Sequence, residues 1–89
     1  MRGKFIVIEG GDGSGKDTHI ARLKEYFKEK SIVFTREPGG TTMGEQIRSV
    51  LLSADAPAVD RKAELLLFLA ARAELVGKVV APALAEGKH

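Results

Sequence analysis

Apolar positions fall into distinct groups along the chain, each with its own period. Phe5-Ile6-Val7-Ile8 is a continuous β-prone run, the pattern of a strand buried on both faces of a parallel sheet. Ile20, Leu23 and Phe27 then recur at steps of three and four, with Lys24, Glu25, Lys28 and Glu29 turned to water. That spacing predicts an amphipathic helix reaching Lys30. Ser31-Ile32-Val33-Phe34-Thr35 predicts a second strand, and Pro38-Gly39-Gly40 a turn. A helix carrying Ile47, Val50 and Leu51 is expected to start near Thr42 and to break over residues 54–57. The last helix begins around Asp60 and runs towards Gly87, with Pro82 kinking it or dividing it. Strand, glycine turn, helix, strand, helix is the opening of an α/β domain built on a parallel sheet.

The glycine turn carries the first candidate chemistry. Gly10-Gly11-Asp12-Gly13-Ser14-Gly15-Lys16 follows a predicted buried strand and opens a predicted helix, the context in which Gly-x-x-x-x-Gly-Lys is a phosphate-binding loop. Glycines let successive N–H groups converge on a phosphate, and a side chain would block the approach. The helix that follows points its positive end at the same anion. Lys16 adds a mobile charge for the β- and γ-phosphates of a nucleotide. Loops of this kind place Ser or Thr after the lysine as a Mg²⁺ ligand. Here that position is Asp17, and Thr18 lies about 100° further round the helix. Asp17 has two readings, a hard oxygen ligand for Mg²⁺ or a carboxylate that caps the positive helix end. His19 and His89 stand without the partners that make a metal cluster.

Composition narrows the class. Apolar residues make up 44%, too many for a disordered chain, and the formal charge of +2 is mixed with no basic stripe, which weakens a nucleic-acid or membrane-surface reading. The longest unbroken apolar run, residues 65–71, is far short of the ~18 residues of a membrane span. With no cysteine there is no disulfide framework, thiol nucleophile or cysteine zinc site. An apolar run of four near the start is shorter than a signal-peptide core of roughly 7–15 residues, so the expected setting is cytoplasmic. At 89 residues the expectation is one domain.

Three segments together resemble the thymidylate kinases, which phosphorylate dTMP with ATP. Residues 5–18 resemble the start of such an enzyme. Thr35-Arg36-Glu37-Pro38-Gly39-Gly40-Thr41, with Gly44-Glu45-x-Ile47-Arg48 after it, follows at the family's order and spacing. Leu67-Phe68-x-x-x-Arg72 completes the set. A phosphate loop alone names only a superfamily; the other two segments make the resemblance specific, and it spans the chain.

The resemblance implies a P-loop nucleoside-monophosphate-kinase type of α/β fold, a parallel sheet flanked by helices, with residues 1–89 as the amino-terminal part of a single kinase domain. A central strand ending in Asp-Arg, a lid and an adenine-binding loop are expected beyond these residues, so the sheet is expected to be incomplete here. It implies ATP with Mg²⁺ as donor, dTMP as acceptor and a homodimer formed through packed helices. By resemblance, residues 10–18 hold the ATP phosphates and Asp12 also accepts from the 3′-hydroxyl of dTMP. Pro38 shapes the acceptor loop, Arg48 contacts the dTMP phosphate, Phe68 stacks on thymine and Arg72 donates to the base edge. Read from the residues alone, Asp12 is equally a turn residue, Arg48 a solvated helix arginine and Phe68 a core side chain. Neither Arg36 nor Glu37 receives a separate role. Gly13 stands where some members carry an arginine, which groups this chain with those whose transition-state arginine lies in the lid. Two alternatives accompany this reading: a P-loop kinase for another deoxynucleotide, and a non-catalytic nucleotide-binding fragment.

Overall fold

The structure, a computed structural model, describes residues 2–11, 13–53 and 59–89. It contains α1 (Lys16–Tyr26), α2 (Thr42–Leu52), α3 (Arg61–Leu75), a π-helical turn (Val76–Val80) and α4 (Ala81–Ala85). The chain divides into two compact units, residues 1–34 with 83–89 and residues 35–82. The break expected over residues 54–57 and the loop position Asp12 lie outside the described residues.

In the unit of residues 35–82, α2 packs against α3. Both helices begin on a side-chain cap. Thr41 Oγ1 accepts from the Gly44 N–H at 2.9 Å, and the Asp60 carboxylate accepts from the Lys62 N–H at 3.0 Å, each satisfying a donor that the first helical turn leaves open. The core lies on one stripe of α3, where Ala71 and Leu75 are only 1% and 3% exposed. Their spacing of four residues puts both on the same helix face. Pro82 has the effect expected of it in a different form. The Ala81 N–H reaches back five residues to the Val76 carbonyl, so the helix widens into a π turn just before the proline. An α-helical register would set the proline ring against the Lys78 carbonyl, and the wider turn relieves that crowding.

In the other unit α1 starts at Lys16 and ends at Tyr26, four residues short of the expected Lys30. Phe27 already leaves helical dihedrals (φ −103°, ψ 18°), and the Lys30 N–H closes a turn on the Phe27 carbonyl. No residue of α1 is buried, so packing does nothing to extend it.

The parallel sheet expected from residues 5–8 and 31–35 is not formed, and no strand occurs among the described residues. Phe5, Ile6, Val7 and Ile8 are 65%, 73%, 62% and 44% exposed. A strand exists only as one side of a ladder, and these two segments do not pair with one another. Gly3, just before the first segment, and Ser31 and Val33 of the second make backbone bonds to residues 84 and 89 instead. The Gly3 N–H donates to the Leu84 carbonyl, the Val33 N–H to the His89 carbonyl at 2.7 Å, and the His89 N–H to the Ser31 carbonyl at 2.9 Å. His89 accepts the Lys4 N–H through Nδ1 at 2.9 Å. No helix among the described residues is long and apolar enough to cross a membrane.

The cap on α2 gives a direct check. We expect Thr41→Ala to lower the stability of the unit by about 1 kcal/mol, read as an earlier midpoint in urea followed by helical circular dichroism. Coincident curves for the two proteins would remove the cap from this account.

Candidate functional site

The phosphate-loop residues form a left-handed glycine turn that runs straight into α1. Gly13 and Gly15 sit at φ 80° and 84°, a region that penalises any side chain, and Gly15 is the N-cap of α1. The Ser14 N–H closes on the Gly11 carbonyl at 3.2 Å, and the His19 N–H begins the helical ladder on Gly15. Gly10 is packed as tightly as the motif requires, because a Cβ there would lie 2.7 Å from Ser14 Oγ. Lys16 folds back across the loop and donates from Nζ to the Gly10 carbonyl at 3.2 Å. Asp17 and Thr18 occupy the first turn of α1 with exposed side chains. Among the described residues no three His, Cys, Asp or Glu side chains converge as a metal cage. Mg²⁺ on nucleotide phosphates needs only one or two carboxylates from the protein, so the hard oxygen donor of Asp17 fits such an ion.

In residues 35–82 the loop 36–41 makes charged contacts with both helices. On the α2 side, Arg36 holds Glu45 with one nitrogen 3.3 Å from each carboxylate oxygen, and the Gly40 N–H donates to Glu45 Oε1 at 3.3 Å. Arg48 donates to the Pro38 carbonyl at 3.1 Å, so this helix arginine faces the loop and is partly buried. On the α3 side, Arg72 grips Glu37 through Nε and one terminal nitrogen, with contacts of 3.1, 3.2 and 2.8 Å. Gly39 and Gly40 let the loop lie this close. Their φ values are 138° and 81°, and a Cβ on Gly40 would lie 2.7 Å from Leu75 Cδ1.

The structure thus brings Pro38, Arg48 and Arg72 onto one loop and its two helices. Phe68 is 39% exposed, so the core reading suggested by its apolar surroundings does not hold. Arg36, Glu37 and Glu45, given no role above, turn out to be the partners of the loop. Their one signal in the sequence is charge concentrated beside a Pro-Gly-Gly turn. Arg36, Glu45, Arg48 and Ser49 line an open groove of about 460 Å³ that ends at Leu52 and Ser53. Two guanidiniums against one carboxylate leave that groove with a net positive charge, suited to an anion.

The Gly10-x-x-x-x-Gly15-Lys16 spacing, with Gly13 and Gly15 left-handed and Gly15 at the start of α1, has the features of a phosphate-binding loop. The family model for thymidylate kinase matches residues 8–89. The chain is 51% identical to the thymidylate kinase of Protochlamydia amoebophila over 99% of its own length and 40% of that protein. It is 52% identical to that of Carboxydothermus hydrogenoformans (98% of this chain, 43% of the relative) and 55% identical to that of Symbiobacterium thermophilum (94% and 40%). The chain belongs to the thymidylate kinase family, whose members have a P-loop nucleoside-monophosphate-kinase fold. It spans about two fifths of the length of these curated relatives.

Glu45 gives the site a pH dependence. The Gly40 N–H, and after it the Arg36 guanidinium, hold its carboxyl below the usual range; partial desolvation opposes them and the charge of Arg48 assists. A carboxylate with a depressed folded pKa adds stability that is complete above its unfolded value, about 4.3, and is lost as pH falls through the folded value. We therefore expect the unit to lose stability as pH drops below about 4.3, and Glu45→Gln to flatten that part of the profile. Melts at intervals between pH 6 and pH 3 measure it; parallel profiles for the two proteins would contradict it.

Proposed function

We propose that residues 1–89 are the amino-terminal part of a single P-loop kinase domain that transfers the γ-phosphoryl group of ATP to the 5′-phosphate of dTMP, giving dTDP. The observation that carries this is the loop 36–41, which ties Arg48 on α2 and Arg72 on α3 to one acceptor segment in a chain half identical to thymidylate kinases. In-line phosphoryl transfer relies on positioning and charge stabilisation more than on covalent work by the protein.

On the donor side, the backbone N–H groups of residues 10–18 cradle the ATP phosphates, and Lys16 exchanges its bond to the Gly10 carbonyl for the β- and γ-phosphates. Asp17, in the position where Ser or Thr is usual, would hold Mg²⁺, which would supply positive charge to offset that of the donor phosphates. On the acceptor side, Arg48 and the groove it lines hold the dTMP phosphate. The half-exposed ring of Phe68 stacks on thymine, Arg72 donates to a carbonyl of the base, and Asp12 accepts from the 3′-hydroxyl. Pro38 shapes the loop that borders this pocket.

Residues 5–8 and 31–35, extended and exposed here, are read as strands of a parallel sheet whose ladder is completed by a strand lying between them. The exposed apolar residues Leu65, Leu66, Leu69 and Val76 suit the helix surface of a homodimer, in a cytoplasmic setting.

Two substitutions in the full-length protein test the donor side. Lys16→Ala is expected to lower dTMP-dependent ADP release by on the order of 100-fold or more. It should also abolish the rise in melting temperature produced by Mg²⁺–ATP, while the shift with dTMP remains. Transfer to dCMP, dUMP or dGMP in preference to dTMP would overturn the choice of acceptor, and no transfer to any of them would overturn the kinase reading. Asp17→Thr should change the Mg²⁺ concentration for half-maximal rate; an unaltered Mg²⁺ dependence would leave Asp17 as a helix-end carboxylate only.

A further inference from the structure

We propose that Glu37 is a positioning residue that sets the plane of the Arg72 guanidinium and thereby the preference for a base with a carbonyl, over one with an amino group, at the edge Arg72 reads. The inference rests on the reading of Arg72 as the base-contacting arginine. Two nitrogens of Arg72, Nε and one terminal nitrogen, meet the Glu37 carboxylate at 3.1, 3.2 and 2.8 Å. A planar fork held at two points cannot rotate about its long axis without breaking both bonds. The other arginine–glutamate pair of the loop lacks this property. Arg36 reaches Glu45 with a single nitrogen, 3.3 Å from each oxygen, and nothing in that contact defines a plane.

The Glu37–Arg72 pair is poorly placed to act as a stability element. Its side chains are 40% and 62% exposed, and ion pairs that open to water contribute little to folding. What it does is orient. It joins the acceptor loop to α3 across 35 residues of sequence, one turn from Phe68, which lies four residues earlier on the same helix face.

The consequence is chemical. A guanidinium carries only donors, so one fixed in plane favours a base edge that presents a carbonyl and opposes an edge that presents an amino donor. Thymine presents the first and cytosine the second. A guanidinium free to swing would lose part of this discrimination, because it could turn away from the mismatched donor.

Glu37→Gln keeps the shape of the side chain and breaks the fork, since one of its two end atoms becomes a donor facing a donor. The experiment measures kcat and KM for dTMP and for dCMP, with the melting temperature, in the full-length protein and in Glu37→Gln, Arg72→Ala and the double variant. Glu37→Gln is expected to reduce the dTMP/dCMP ratio of kcat/KM about 10-fold, equivalent to about 1.4 kcal/mol, chiefly through the KM for dTMP. Its melting temperature should stay within about 2 °C, as for an exposed ion pair. Arg72→Ala should reduce the ratio at least as far, and the double variant no further than Arg72→Ala. A ratio unchanged in Glu37→Gln but lowered in Arg72→Ala would overturn the role of Glu37 and leave the base contact standing. An equal loss towards both nucleotides with a lowered melting temperature would also overturn it, by showing a structural role. A ratio unchanged in both single variants would remove the base contact itself.

Discussion

Burial of Leu75 against the Gly39-Gly40 turn is the constraint from which the unit of residues 35–82 follows. Fully burying a leucine contributes on the order of 2 kcal/mol, whereas an exposed ion pair contributes roughly 0–1. Apolar contact therefore decides that residues 36–41 lie on α3 at all. The carboxylates of Glu37 and Glu45 decide where the guanidiniums go once the loop is there. The two tasks need different residues, and the loop supplies both within six positions. Gly39 and Gly40 remove the side chains that would hold it away, and the adjacent charged residues Arg36 and Glu37 reach the two helices.

The unit that carries α1 is organised differently. Its loop is shaped by backbone alone, with two left-handed glycines and a lysine that crosses to a carbonyl. That geometry is local and needs no core, which fits an α1 without a single buried residue. The extended segments before and after α1 are another matter. Their apolar side chains face water, and part of their backbone is satisfied by residues 84 and 89. An exposed apolar run with open ladder groups is a surface that favours a pairing strand.

What could be read from sequence follows from how local each feature is. The start of α2 at Thr42 was legible because a Pro-Gly-Gly turn and a threonine cap lie within four residues of it. The turn before α1 was legible because its conformation at Gly13 and Gly15 is imposed by glycine. The sheet was not realised, since Phe5-Ile6-Val7-Ile8 reports only a preference for extended backbone and says nothing about a partner. Phe68 looked like core because its neighbours are apolar, yet only Ala71 and Leu75 of α3 are buried, a narrower stripe than composition suggests. Glu37 had no visible role because its partner lies 35 residues away, and charge complementarity at that distance leaves no periodic trace. Pro82 announced a disturbance of the helix but not its form, because the widened turn depends on which carbonyl the Ala81 N–H selects.

The two charged links of the loop 36–41, from the adjacent residues Arg36 and Glu37, differ in the chain length they close. Arg36 meets Glu45 across 9 residues, and Glu37 meets Arg72 across 35. For flexible connections the entropic cost of closure rises with the logarithm of that length, so the longer link is dearer by about 1.2 kcal/mol. The link to α2 is thus a short-range one, while the grip on Arg72 depends on a long excursion of the chain. The arginine read as facing the base is in this sense held by the link that costs the chain more to close.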